Sequence, residues 1–348
     1  MKKHMPENLG EFLKRTGNLL IHLLDACNLK CKHCYLNASS RKGKYMLPFD
    51  LLKRTIDEAH DLGIKSIQFS GGEPLLYPYI QEVLELTKGK NFNVALSTNG
   101  TLMDDRHAAL LAEINASVVA SIDGPAEYHD RFRGKKGCFA KTEDGVARLV
   151  GSGVEVKIVT TVCEDSLKYI DWCAEWACKM KVDVLQFQPL ENIGRGKKIE
   201  NNRLPEEKLH DLFIHLNDLA VSYLPRGLQI RMTYQSRDYM VAHPCTAFVC
   251  NGKYCHRGVE KELKKIVIRE DGTILPELVD IDRQFSIGNL YKDTLKNNIV
   301  NYLYNGYARF DRLCREVYND TVVNYPAPLI PWNEILTERS RLIKYKEE

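Results

Sequence analysis

The sequence predicts an α/β protein: a parallel sheet curled into a partial (β/α)6 barrel of the TIM type, with a smaller α+β unit after it. Three observations predict this. From residue 18 to about 190, short apolar segments alternate with amphipathic ones. The apolar segments are rich in β-branched residues and nearly continuous, as in strands covered on both faces. Polar clusters recur at the ends of those segments, the position where parallel barrels gather their loops. Right-handed crossovers would curl such a sheet, and six units rather than eight would leave it open. An open doubly wound sheet satisfies the same periodicity.

In chain order, strands are expected over 18–24, 65–69, 92–97, 117–122, 154–161 and 182–187. The first helix starts at Asp50, puts Leu51, Leu52, Ile56, Ala59 and Leu62 on one face, and stops at Gly63. Further helices are expected over 78–87, 104–113, 142–151 and 167–180. The strand ends carry Ser70-Gly71-Gly72-Glu73-Pro74, Ser97-Thr98-Asn99-Gly100, Ser121-Ile122-Asp123-Gly124 and Gln186-Phe187-Gln188-Pro189.

The chain has 348 residues, 44% of them hydrophobic and 27% charged, which suits a globular protein with a substantial core. A net charge of +3 gives no basic face for nucleic acid. No apolar run approaches the ~20 residues of a membrane span, and the charged N-terminus lacks a signal-peptide core. Eleven cysteines without an export signal suggest the reducing cytoplasm, with thiols used for metal rather than for disulfides.

Three of those cysteines, Cys27, Cys31 and Cys34, form a CxxxCxxC run directly after the first strand. Three thiolates on a four-iron cluster leave one iron open to a small ligand. A structural zinc site with His22 or His33 as fourth ligand, and unrelated buried thiols, are the other readings. No second pair of close cysteines follows soon enough to complete a common zinc pattern.

With Gly71-Gly72-Glu73-Pro74 and the strand ends 97–100 and 121–124, this run resembles the radical S-adenosylmethionine (radical SAM) enzymes over about residues 18–190. His33 stands at the aromatic position that usually precedes the third cysteine. The resemblance implies a [4Fe–4S] cluster on Cys27, Cys31 and Cys34 whose open iron chelates S-adenosylmethionine. Reductive cleavage would give a 5′-deoxyadenosyl radical that takes a hydrogen atom from substrate. It further implies that Gly71 and Gly72 let backbone approach the methionine amine, with Glu73 accepting from it. Ser97, Asn99, Ser121 and Asp123 become candidates for ribose and methionine contacts. Arg133 would pair with the carboxylate, its alternative being a solvated charge beside Lys135 and Lys136. Gln188 could reach adenine or substrate.

After Leu190 the pattern changes. Residues 194–198 read as a basic flexible turn, and a helix is expected over 205–222. Cys245, Cys250 and Cys255 follow, then a hairpin turning at Asp271-Gly272, then Ile287-Gly288-Asn289 and a lone Cys314. This half resembles the SPASM or twitch extensions that carry auxiliary clusters. It departs from them at Glu277, where relatives place a cysteine after the hairpin proline. Cys245, Cys250, Cys255 and Cys314 could supply a second Fe–S cluster, as could Cys255, Glu277 and Cys314 with one other ligand; zinc, or stray thiols with no cluster, are the alternatives. Cys138, Cys163, Cys173 and Cys178 have no partner spacing. The expected division is a lead-in over 1–17, a barrel over 18–222, an auxiliary domain over 223–325 and a tail over 326–348.

Three functions compete. The first is a radical enzyme acting on a peptide or protein, reduced by a flavodoxin or ferredoxin. The short lead-in leaves no room for a fused leader-binding domain. The second is maturation of a cofactor or metalloenzyme, for example a tungsten or molybdenum oxidoreductase. The third is a non-catalytic metal scaffold. No nucleic-acid or membrane partner is expected.

Overall fold

A computed structural model describes residues 17–38, 43–249, 263–324 and 327–343. All six expected strands form: β1 (Asn18–His22), β2 (Ser66–Ser70), β3 (Asn93–Ser97), β4 (Ser117–Ser121), β5 (Glu155–Val162) and β6 (Val184–Pro189). They lie side by side in chain order, all parallel. Between them run α1 (Phe49–Asp61), α2 (Ile80–Glu85), α3 (Asp105–Glu113), α4 (Ala126–Arg133), α5 (Cys138–Gly151) and α6 (Ile170–Lys179). Local chemistry sets these elements. Asp104, for example, caps α3 by accepting from the His107 N–H at 2.8 Å.

The barrel's opening shows in the burial of its strands. In β4 and β5 the helix-facing residues Val118, Ala120, Val156 and Ile158 are fully buried. The alternate residues Val119, Ser121, Val159 and Thr161 are only partly covered, because they line a cavity inside the barrel. The strands are therefore not uniformly buried, as their composition suggested. An incomplete barrel leaves its inner face to whatever the cavity holds.

The sheet extends beyond six strands at both ends. After α7 (Glu206–Tyr223), β7 (Gln229–Met232) adds parallel to β6. A short β8 (Gln235–Ser236) and α8 (Arg237–Ala242) follow. At the other edge the expected hairpin forms as β9 (Lys265–Ile268) and β10 (Thr273–Pro276). Strand β9 pairs parallel with β1, and β11 (Gly288–Asn289) closes the edge, giving one ten-stranded sheet. The hairpin thus continues the barrel sheet. Helices α9 (Leu295–Asn305) and α10 (Tyr307–Tyr318) follow, then β12 (Leu329–Ile330), which pairs with β8, and α11 (Trp332–Leu342). No helix among the described residues is long and apolar enough to cross a membrane.

Candidate active site

Beyond β1 the chain runs beside the end of β2 and is stitched to it. The Gly72 N–H donates to the Leu24 carbonyl at 2.7 Å and the Glu73 N–H to the Ala26 carbonyl at 2.8 Å. A Cβ on Gly72 would sit 2.0 Å from the Ala26 carbonyl oxygen. One on Gly71, at φ +139°, would sit 2.6 Å from that of Leu24. Both glycines line the cavity, and both are also required by the close approach of the backbone that leads into the cysteine loop.

The cavity inside the barrel mouth measures about 310 Å³ and is lined by Cys27, Cys31 and Cys34 together with Gly71, Gly72, Ser97, Asn99, Ser121 and Arg133. Donors surround the sulfurs. The Leu29 N–H lies 3.4 Å from Cys27 Sγ, Asn99 Nδ2 lies 3.9 Å from the same atom, and Arg133 Nη1 lies 3.9 Å from Cys31 Sγ. Burial pushes the Cys27 thiol up to about 12, so metal binding there must displace the proton. Three cysteines lining one cavity, with N–H groups aimed at the sulfurs of Cys27 and Cys31, suit the thiolates of an iron–sulfur cluster.

The zinc alternative would take His22 or His33 as its fourth ligand. His22 is buried with Nδ1 3.7 Å from Glu270. His33 stacks on Phe132 at 4.4 Å between ring centroids, and burial pushes it down to about 3. Among the described residues no three His, Cys, Asp or Glu side chains gather where a single metal ion would sit. A cubane spreads its thiolates more widely than one ion does.

Arg195 locks the loop from the far side. Its Nε donates to the Cys31 carbonyl at 2.7 Å, Nη1 to that of Ala38 at 2.6 Å, and its N–H to that of Cys34 at 2.9 Å. Gly194 sits at φ +57°, where a Cβ would be 2.4 Å from the Cys34 carbonyl oxygen. The expected flexible turn is therefore a 3-10 segment (Gly194–Asn202) clamped onto the cysteine loop.

Glu73 and Asp123 stand behind the cavity wall. The Glu73 carboxylate is fully buried and accepts from Thr98 Oγ1 (2.6 Å), the Asn99 N–H (2.7 Å) and the Leu75 N–H (3.1 Å). It braces the Asn99 loop, and burial raises it to about 6. Burial also acts to raise Asp123, but the Arg133 guanidinium outweighs it and holds that carboxyl at about 2. Arg133 is not a solvated charge. It is buried at the end of α4, with Nε–Oδ2 at 2.6 Å and Nη2–Oδ1 at 3.1 Å to Asp123.

In the second half, Cys250 and Cys255 lie outside the described residues. Cys245 lies on a 3-10 turn (Pro244–Ala247), and Cys314 is sunk in the hydrophobic core on α10. Glu277 takes φ +60°, and its buried carboxylate accepts from the N–H groups of Lys264 and Lys265. Burial raises it to about 7.

Two residues without a motif join the site. Glu191 lines the cavity just past β6, raised to about 7 by burial and by Glu334 beside it. Asn28 accepts from Asn99 Nδ2 at 2.8 Å and so ties the cysteine loop to β3. A polar residue between two candidate ligands was the available signal for Asn28. For Glu191 there was none beyond its strand-end position.

Comparison with known proteins agrees with this geometry. The radical SAM superfamily model matches residues 21–167. The chain is 32% identical to the Fe-coproporphyrin III synthase of Methanosarcina barkeri over 59% of this chain and 52% of that one. It is 27% identical to the subtilosin biosynthesis protein AlbA of Bacillus subtilis over 84% of this chain and 62% of that one. It therefore spans less than two thirds of either relative. The crystal structure of Streptococcus suis SuiB bound to S-adenosylmethionine superposes with TM-score 0.67 at 19% identity, covering 85% of this chain and 68% of that one. Residues 21–167 match the radical SAM superfamily model and are a radical SAM domain.

Proposed function

We propose that this chain is a radical SAM enzyme that modifies a peptide or protein side chain. Superfamily members use a [4Fe–4S] cluster and S-adenosylmethionine, and Cys27, Cys31 and Cys34 are the residues that would hold the cluster. Bound there, the two groups would supply the one-electron chemistry needed to remove a hydrogen atom from an unactivated carbon.

The chain's own residues do the rest. Asn99 and Asn28 fix the cysteine loop against β3, and Arg195 fixes it from the opposite side. The Asp123–Arg133 pair places a guanidinium on the cavity wall beside Cys31. Ser97, Ser121 and Thr161 offer hydroxyls across the cavity floor, and Leu29, Leu36, Leu190 and Ile193 exclude water around them. A flavodoxin or ferredoxin would supply the electron. The observation that carries this reading is the convergence of three thiols and the Gly71–Gly72 loop on one cavity. The peptide class rests on the match to a subtilosin biosynthesis protein along most of this chain.

The test is anaerobic reconstitution followed by dithionite and S-adenosylmethionine, with 5′-deoxyadenosine measured for wild type and Cys31→Ala. Deoxyadenosine from wild type alone is expected. None from a fully loaded protein, with or without peptide, would sink the reading and leave a metal scaffold.

A second reading, maturation of a cofactor, is favoured by the 32% identity to an Fe-coproporphyrin III synthase. The two readings part on ligand charge: a porphyrin of that class carries several carboxylates, whereas a peptide backbone is neutral.

A further inference from the structure

A second cavity, about 250 Å³, lies against the first. Glu191 is a wall of both. The second cavity is otherwise built from the end of β7, from β8 and from the start of α11, with Thr233, Tyr234, Ile330 and Trp332 among its lining residues. Polar atoms buried in its wall find no partner among the described residues. The Trp332 indole is 5% exposed, and neither its Nε1–H nor Thr233 Oγ1 has a hydrogen-bond partner among those residues. A buried indole N–H without an acceptor costs free energy on the order of 1–3 kcal/mol, and natural structures rarely leave one unless a ligand or water takes it.

We infer that this second cavity is a subsite for an uncharged peptide backbone flanking the residue to be modified. The inference rests on the peptide reading above and names where that peptide lies. An amide presents one acceptor and one donor. Its carbonyl suits the Trp332 Nε1–H, and its N–H suits the Glu191 carboxylate or Thr233 Oγ1. An anionic ligand meets the opposite environment. Glu191 and Glu334 stand close enough to raise one carboxyl by the charge of the other. The cation between them, Arg203, is already paired with Glu334 at 2.8 Å. A further carboxylate would add like charge to a partly buried acidic pair.

The geometry also suits an extended chain. A third cavity, again about 250 Å³, shares Tyr234, Gln235 and Tyr239 with the second and continues along Ile230 and Met232 of β7. Strand β7 ends the sheet, so its edge away from β6 pairs with no strand among the described residues. The N–H groups of Gln229 and Thr233 point to β6, so by alternation those of Ile230 and Met232 point to the free edge. The three cavities thus form one track from a strand edge to the cysteines, a form that extended peptides use when they bind along sheets.

The test uses the reconstituted full chain and a pool of hexapeptides, acetylated and amidated, with zero net charge. Peptides retained by wild type are identified by mass spectrometry and compared with Trp332→Phe, which removes only the N–H and its ring edge, and Glu191→Ala. Thermal melting checks that each variant is folded. Peptides retained by wild type and weakened about fivefold or more in both variants are expected, about the worth of one hydrogen bond. Equal retention by all three proteins, or none by any, would overturn the subsite. So would an iron porphyrin carboxylate that binds through Trp332 and displaces the peptides. S-adenosylmethionine cleavage without peptide retention sinks the subsite alone. Peptide retention without cleavage sinks the enzymatic reading alone.

Discussion

The two sides of the barrel mouth treat their polar groups differently. On the cysteine side the charged groups are tied down: Glu73 accepts three hydrogen bonds, Asp123 takes Arg133 through two, and Arg195 makes three to the cysteine loop, while the imidazole atoms His33 Nδ1 and His129 Nε2 have no partner among the described residues. On the side of β6, β7 and α11, Trp332 Nε1, Thr233 Oγ1 and Asn192 Oδ1 have no partner among the described residues, and the carboxyl of Glu191 stands raised to about 7. A site that holds the same cofactor at every turnover gains from closing its own network, because preorganised groups need not move. A site that must receive and release a substrate leaves its donors open.

The largest expected effect breaks the closed side. Asp123→Ala leaves the Arg133 guanidinium buried without its carboxylate, and unfolding by urea should show a loss of about 3–5 kcal/mol. A loss below ~1 kcal/mol would mean that Arg133 finds another partner, and the contrast between the sides would fail.

Next comes the pH dependence of the open side. The Glu191 carboxyl is raised from 4.5 to about 7 on folding. A raised carboxyl favours the neutral form in the folded state, so its contribution is complete below 4.5 and is lost as pH rises through about 7. Glu191→Gln should remove that decline, worth up to ~3 kcal/mol between the two limits. Identical stability-versus-pH curves for variant and wild type would show that Glu191 is not held neutral.

Arg195→Lys should cost about 2 kcal/mol, because an ammonium cannot reach the Cys31 and Ala38 carbonyls in the same fork. Reconstituted variant protein should also release iron to a chelator faster than wild type. Unchanged release would show that the cysteine loop holds itself.

The smallest effect is a near-cancellation. Trp332→Phe deletes a donor that has no acceptor among the described residues but also removes ring volume from the core, so the ligand-free protein should change by no more than ~1 kcal/mol. A loss well beyond that would mean the indole N–H is already engaged, and the open side would be closed after all.

Much of the cysteine side was legible in the sequence, because its signals are local. The strands carry continuous apolar runs, the cysteines are closely spaced, and Gly71-Gly72 announces a close approach. What approaches them was not legible, since the partner backbone at Leu24 and Ala26 lies across the turn from β1. Arg133 could be read as a carboxylate partner or as a surface charge, because it follows Arg131 and precedes two lysines. Only the placement of α4 shows it turned inward to Asp123. Strand β7 is four residues long and carries two polar side chains, too few for a periodic signal. The open side could not be read at all. Glu191 and Trp332 lie far apart in sequence and form one wall only after the sheet and α11 are in place.

The pairing of β9 with β1 bears on the order in which the molecule can assemble. Strand β1 carries the cysteine loop, and one of its neighbours, β2, is made soon after it. The other arrives only when Lys265 has been made, since Lys265 lies opposite Asn18. Until then β1 is an unpaired edge of Leu19, Leu20 and Ile21, and it offers itself to any other strand. Contacts so distant along the chain form slowly. The cysteine-bearing strand is therefore made long before its second neighbour, and a nascent chain needs protection there throughout that interval.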